Sequence, residues 1–404
     1  MIGENFNRIF NTFYHLSLIS GNCVPGLSKS SRSFGTLLLI YCVVIILICA
    51  SQIVACVVVL SDYTHNTNFI HTASILNLYL GLMFWNIYLL YKREHFYKII
   101  DRIDYLIDNF NADKETGVNE FEMKVKIDFE TLNKITTVGC LSMSLLPVIN
   151  NTQKLIRGWK WFGMDGVRVF NYQVPYFAQL SPIYELTIFL QASSLFWVCS
   201  EQCCIIYLFS IFFFLITHFF EHLHQVIGSV LEEEGDQLCS MGLKHWIKLH
   251  QEVLSVTEDI IDLYSPMLCV YFLYIYSTVA FTIYSALQNT HSHTVVEVMV
   301  LVYFTLMTLT NFYILCHYGN KIKEQSENTI RAVFAAPWYD CTHFQKTLLK
   351  MVILRSQKAI VVTSFNSSVF DLTNSTFIVI MKSIVSFYLG LVKMRQQAEI
   401  SSEM

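Results

Sequence analysis

Long runs of apolar residues, separated by short polar segments, dominate the chain. No Asp, Glu, Lys or Arg occurs between positions 33 and 61, or between positions 63 and 91. A helix needs roughly 20 residues to cross the hydrocarbon core of a bilayer. Each run is therefore long enough for one span, and the pattern predicts an all-α, polytopic membrane protein.

The remaining apolar runs bring the predicted number of spans to seven. Spans three, five, six and seven are predicted at 135–149, 265–288, 295–317 and 369–393. Span four, 183–220, contains "WVCSEQCCII", which offers no Gly, Pro or Asn turn. We predict one long helix here that continues into water. In span seven, Asp371 is expected to cap the N-terminus of the final helix.

Composition and charge support this interpretation and orient the spans. Only 14% of residues are charged and mean hydropathy is +0.45, whereas soluble domains are about 25% charged. The net charge of -4 gives no indication of a nucleic-acid partner. Segments on the N-terminal side carry twenty Lys and Arg, against six on the other side. The bias predicts a cytoplasmic N-terminus and an extracellular C-terminus.

One motif suggests chemistry. "THFFEHLH" contains His218, Glu221 and His222 in the H-x-x-E-H order of some zinc peptidases. A catalytic zinc needs a third protein ligand, and no second acidic-histidine motif follows. We therefore interpret these residues as ordinary polar groups at the membrane interface, and we predict neither an enzyme nor a metal or cofactor site.

The C-terminal third, residues 331–394, resembles the insect odorant receptor family. The resemblance is carried by Tyr339 after Pro-Trp, by "LRSQKA" (354–359), by Phe377 in "STFIVIMKS", and by an aromatic-rich helix close to the chain end. Related gustatory receptors have Thr-Tyr where this chain has Thr376-Phe377. The short segment 219–264 and the last-turn residues also differ from the shared coreceptor, so the chain resembles a ligand-tuning subunit.

That resemblance implies a ligand-gated, non-selective cation channel of four subunits that works with coreceptor subunits. It further implies a plasma-membrane location in olfactory neurons and a volatile, apolar ligand. The expected segments are a cytoplasmic N-terminus (1–36), helices one to six with the ligand pocket (37–317), a cytoplasmic anchor (318–365), a pore-lining helix seven (366–394) and an extracellular tail (395–404). A self-sufficient homomeric channel is the main alternative, and a G-protein-type receptor fits less well because of the external C-terminus.

A stripe of small and polar residues on the last helix is the candidate pore lining. Ser386, Gly390 and Lys393 recur at spacings of four and three, which places them on one helix face, and Lys382 lies four residues before Ser386. Such a stripe lines water or packs closely against another helix. For Lys382, an ion pair between subunits and a role in conduction both stay open.

The resemblance places the ligand pocket in the outer half of the helix bundle. The expected lining consists of Phe69, Ala73 and Asn77 in span two, Met143 and Leu146 in span three, Tyr184 and Phe189 in span four, and Tyr303 in span six. Asn77 and the two tyrosines are suited to orient an ester, alcohol or carbonyl oxygen, although each also fits ordinary packing. Asn150 begins an Asn-x-Thr sequon and is the predicted glycosylation site.

Overall fold

Helices make up almost all of the chain that the structure describes. The computed structural model describes residues 32–61, 69–112, 183–232, 236–288, 295–364 and 367–403, and also positions 130, 131, 134, 138, 139 and 142. The helices are α1 (Arg32–Ser61), α2 (Phe69–Tyr91), α3 (Arg93–Ala112), α4 (Ile183–Glu232), α5 (Asp236–Gln288), α6 (Val295–Ala335), α7 (His343–Ser356) and α8 (Asn374–Glu403). The prediction of a helical fold is confirmed.

A small hairpin is the exception among the described residues. Strand β1 (Thr363–Ser364) pairs antiparallel with β2 (Ser367–Asp371), and the two strands connect α7 to α8. A 3-10 turn (Trp338–Asp340) lies between α6 and α7. The hairpin was not predicted from the sequence, because two- and five-residue strands are too short to show an alternating pattern.

Three helices are much longer than a bilayer is thick. α4 has 50 residues, α5 has 53 and α6 has 41, which correspond to roughly 75, 80 and 60 Å at 1.5 Å per residue. The hydrocarbon core measures about 30 Å, so all three helices extend beyond it. The prediction of one continuous helix in span four is confirmed. We expected the segments 219–264 and 318–365 to connect spans. Most of the first is instead the end of α4 and the start of α5, and α6 continues through the second as far as Ala335.

By length and composition, three stretches of the described residues can cross a membrane. They are Phe196–Glu232, Cys239–Tyr284 and Asn374–Met394. Shorter apolar helical stretches occupy Val43–Val54 in α1 and Leu76–Tyr91 in α2. Span three lies outside the described residues except for positions 138, 139 and 142, and the sequon at Asn150 lies outside them entirely.

The core is built around α4. From Cys204 to Phe220 its described side chains are buried, so it packs on all sides rather than along one stripe. Tyr264 of α5 contacts the ring of Phe209, with centroids 3.8 Å apart. Two tryptophans also link neighbouring helices. Trp85 Nε1 of α2 donates to Met267 O of α5 (3.3 Å), and Trp246 Nε1 of α5 donates to Leu223 O of α4 (2.8 Å).

Ion pairs hold the charged half of α5 to its neighbours. Arg102 of α3 donates from Nε to Glu252 at 2.8 Å and from Nη1 to Asp259. Arg355 of α7 donates to Glu258 at 2.6 Å. The same part of α5 also buries Val253, Val256 and Ile260 on its other side. Ion pairs and hydrophobic contacts therefore act together to position this part of the helix.

The start of α8 differs from the sequence-based expectation. Asp371 does not cap this helix, because it is the last residue of β2. The helix begins at Asn374, and Thr373 is the capping residue, since its Oγ1 accepts a hydrogen bond from Thr376 N at 3.3 Å. The backbone N–H of Leu372 donates to Val362 O at 2.8 Å, which places the hairpin directly before α8.

Candidate functional site

The last helix is largely uncovered in the single chain. Its apolar stretch Asn374–Met394 buries little of its surface, and large side chains such as Val385, Phe387 and Leu389 are exposed. Near its start, Phe377 packs against Phe312 and Tyr313 of α6, with ring centroids 5.7 and 5.3 Å apart. An apolar helix of this kind needs lipid or other subunits to cover it.

The four candidate pore residues all lie on this uncovered helix. Lys382, Ser386, Gly390 and Lys393 are exposed. Their apolar neighbours on other faces of the helix are exposed as well, so exposure alone does not distinguish a pore face from a face in contact with lipid. The spacing of the stripe and its exposure in the single chain are compatible with pore lining.

α6 passes very close to the backbone that precedes α8. Gly319 is buried, and a Cβ atom added to it would lie 2.6 Å from Leu372 O and 2.7 Å from Leu372 Cβ. Only glycine fits such a contact without a shift of one segment. Nearby, burial raises the pKa of the Asp371 carboxyl, and the Lys323 ammonium on α6 opposes that rise. The junction therefore joins a helix of the predicted pocket to the predicted pore helix.

The structure places the expected pocket residues on several helices. Phe69 is the first residue of α2, Tyr184 and Phe189 lie in the first two turns of α4, and Met143 and Leu146 lie outside the described residues. Ala73 and Asn77 of α2 are half-buried. Asn77 Nδ2 donates to Ser277 Oγ of α5 at 2.7 Å. The amide of Asn77 therefore lies at the contact between α2 and α5.

Tyr303 makes a different helix contact. Its side chain is half-buried on α6, and its hydroxyl donates to Ser142 Oγ in span three. One turn further along α6, the sulfur of Met307 would lie 4.0 Å from a Cβ atom added to Gly139. Tyr303 thus joins α6 to span three, whereas Asn77 joins α2 to α5.

Three further polar contacts inside the bundle were not predicted from the sequence. The hydroxyls of Tyr79 and Ser194 share a hydrogen bond of 2.7 Å. Tyr274 donates to Gln202 Oε1 at 3.1 Å. Glu201 accepts a hydrogen bond from Asn86 Nδ2, and its Oε2 is buried with no hydrogen-bond partner among the described residues. Glu201 stood out in the sequence only as a charge within an apolar run, with nothing nearby to indicate its partner.

The histidine motif makes packing contacts. His218 Nδ1 lies 2.9 Å from Glu221 Oε2, and Glu221 also accepts a hydrogen bond from Gln325 of α6 at 3.3 Å. The His222 ring lies edge-on to Phe110 of α3, with centroids 4.9 Å apart. In the described part of the chain, no group of three or more His, Cys, Asp or Glu side chains is arranged to hold a metal ion.

Comparisons with known proteins agree with this architecture. The family model described as 7tm Odorant receptor matches residues 65–385. The odorant receptor coreceptor of Anopheles gambiae is 22% identical over 165 residues, which are 41% of this chain and 34% of that protein. Odorant receptor 67c of Drosophila melanogaster is 30% identical over 113 residues, 28% of this chain and 27% of that protein. The aligned regions thus span about a third of the curated relatives' length.

A solved structure matches over almost the whole chain. The insect olfactory receptor OR5 from Machilis hrabei superposes with a TM-score of 0.77 at 12% identity, covering 98% of this chain and 100% of that one. The same receptor in complex with eugenol gives 0.76 at 13% identity. At this identity the likeness establishes the fold alone, a multi-pass helical architecture. Together with the family match across most of its length, it shows that this chain belongs to the seven-transmembrane odorant receptor family.

Proposed function

We propose that this chain is the odorant-binding subunit of a ligand-gated, non-selective cation channel that works with odorant receptor coreceptor subunits. The observation that carries the proposal is the largely uncovered α8, whose apolar surface and polar stripe suit contact with neighbouring subunits around a pore. Similarity both to a coreceptor and to odorant receptor 67c supports assembly with a coreceptor. A tetramer is the proposed assembly.

The charge bias supports a cytoplasmic N-terminus and an extracellular C-terminus in the plasma membrane, with Asn150 exposed to glycosylation outside. The cytoplasmic anchor (318–365) then contains α7, and the ion-paired half of α5 contacts it through the pair between Arg355 and Glu258. Ligand binds in the outer half of the bundle, among the eight predicted pocket residues. Motion of α6 reaches α8 through the contact between Gly319 and Leu372.

Whole-cell recording tests the proposal directly. Cells expressing this chain together with a coreceptor should give an odorant-evoked cation current, whereas cells expressing either chain alone should not. The panel would contain volatile alcohols, esters and aldehydes, and also eugenol, which the similar olfactory receptor OR5 binds. Current from cells that express this chain alone would show that it forms a self-sufficient homomeric channel, and the proposal would be wrong. Silence in all combinations, despite surface expression, would contradict a channel role.

A cysteine at position 386 should report on the proposed pore face. Ser386→Cys in the complex with coreceptor should become sensitive to a water-soluble thiol reagent and lose at least half of its current, because residue 386 would line an aqueous pathway. Ile380→Cys is the matched control on the same helix, since Ile380 is 3% exposed. The wild-type complex, treated with the same reagent, controls for reaction at the twelve native cysteines of this chain. Unchanged current in the reacted Ser386→Cys complex would assign this face to lipid or helix packing.

A further inference from the structure

The hydrogen of the Ser142 hydroxyl is used by the backbone of its own helix. Ser142 Oγ lies 2.8 Å from Val138 O and 2.9 Å from Gly139 O, the usual geometry of a serine that bonds back to the preceding turn. A serine has one hydroxyl hydrogen. Towards any other group, Ser142 can therefore only accept a hydrogen bond.

This constraint fixes the role of Tyr303. Its hydroxyl contacts Ser142 Oγ, so Tyr303 must be the donor in that bond. A phenol also has a single hydrogen. The half-buried hydroxyl of Tyr303 is thus left with acceptor capacity only, and it presents a lone pair rather than an O–H to any molecule beside it.

Asn77 also donates to a serine that bonds back to its own helix, but its amide can still both donate and accept further hydrogen bonds. Ser277 Oγ donates to Leu273 O at 2.7 Å, so it accepts from Asn77 Nδ2. The carboxamide retains its Oδ1 and a second N–H. Asn77 can therefore bond to donors and acceptors alike, and it does not discriminate between them as Tyr303 does.

We propose that the pair formed by Tyr303 and Ser142 makes the ligand site selective for volatile molecules that carry a hydrogen-bond donor, that is, alcohols and phenols. This inference rests on the proposed function, because it takes Tyr303 as part of the ligand site. An alcohol donates to the free lone pair of Tyr303. An ester, aldehyde, ketone or ether has only lone pairs to offer, so it either goes unbonded or takes the proton from the bond to Ser142. The net value of one hydrogen bond corresponds to about fivefold in affinity.

Matched compounds with one carbon skeleton test the inference: a primary alcohol, its methyl ether and the corresponding aldehyde. In cells expressing this chain with a coreceptor, the alcohol should activate at about fivefold lower concentration than the other two. Ser142→Ala releases the proton of Tyr303, so the aldehyde and ether should gain about fivefold while the alcohol changes little. Tyr303→Phe should remove the preference, with the alcohol falling to the level of the ether.

Ser51→Ala is the control, because Ser51 also bonds back to its own helix, to Ile48 O at 2.7 Å, and lies on α1, whereas Tyr303 lies on α6. It should leave all three compounds unchanged. A wild-type preference for the aldehyde, or a Ser142→Ala variant with the wild-type ratio, would overturn the inference. Binding of the same compounds to the purified complex, followed by thermal shift, separates the two claims. Selective binding of the alcohol without current would support the inference and reject the channel function, whereas equal binding of all three would reject the inference.

Discussion

Replacing Gly319 with alanine should nearly abolish odorant-evoked current. The added Cβ atom would lie 2.6 Å from Leu372 O and 2.7 Å from Leu372 Cβ, which is closer than real Cβ atoms approach other atoms. Leu372 cannot move aside easily, because it is 1% exposed and its N–H bonds to Val362 O. Overpacking of this kind costs typically 1–3 kcal/mol. The strain falls where α6 meets the start of α8.

We expect Gly319→Ala to reduce the current per receptor at the cell surface by at least tenfold and to lower the melting temperature of the purified complex. The measurements are whole-cell current normalised to surface labelling, and a thermal-stability assay. Gly228→Ala is the matched control, since it also replaces a helical glycine and its Cβ atom would meet nothing within 4 Å. That control should be stabilising or neutral, because alanine favours helix by about 0.5–1 kcal/mol over glycine. Full current in Gly319→Ala would show that channel opening does not depend on the close contact between α6 and Leu372.

The elements that could be predicted from the sequence were those in which one physical effect dominates. Burial on all sides leaves a long apolar run, so α4 was recognisable as a single helix, and the order of motifs in residues 331–394 led to the odorant receptor family. The charged half of α5 was read as part of a connecting segment because charge indicates contact with water, not the absence of helix. Its residues are in fact held by ion pairs to Arg102 and Arg355.

The contacts between helices could not be predicted in the same way. Asn77 and Ser277 are 200 positions apart, and Tyr303 and Ser142 are 161 positions apart. Spacing along one helix places residues on a face, but it contains no information about which distant helix meets that face. The cap of α8 shows the same limit on a local scale. Asp371 and Thr373 are both suitable capping residues, and pairing of β2 with β1 decides in favour of Thr373.

Glu201 should tolerate replacement by a neutral amide but not by a cation. The side chain is 1% exposed in the middle of α4, and among the described residues only Asn86 donates a hydrogen bond to it. An ionised carboxylate in such a site costs several kcal/mol unless it is paired with a cation. We therefore expect a neutral carboxylic acid that accepts from Asn86 through Oε1. Glutamine retains the size and that acceptor, so Glu201→Gln should keep most of the current and surface expression.

Lysine at the same position should prevent the receptor from reaching the surface, because it buries a cation and faces Asn86 without an acceptor. Surface biotinylation and whole-cell current measure the two effects separately. Glu232→Lys is the control, since it makes the same substitution at the exposed C-terminus of the same helix, where a cation is favoured by the helix dipole. Normal surface expression of Glu201→Gln with loss of current would mean that the negative charge itself is used in gating. Normal expression of Glu201→Lys would mean that water or another subunit reaches this site, so the interior of the bundle would not be closed around α4.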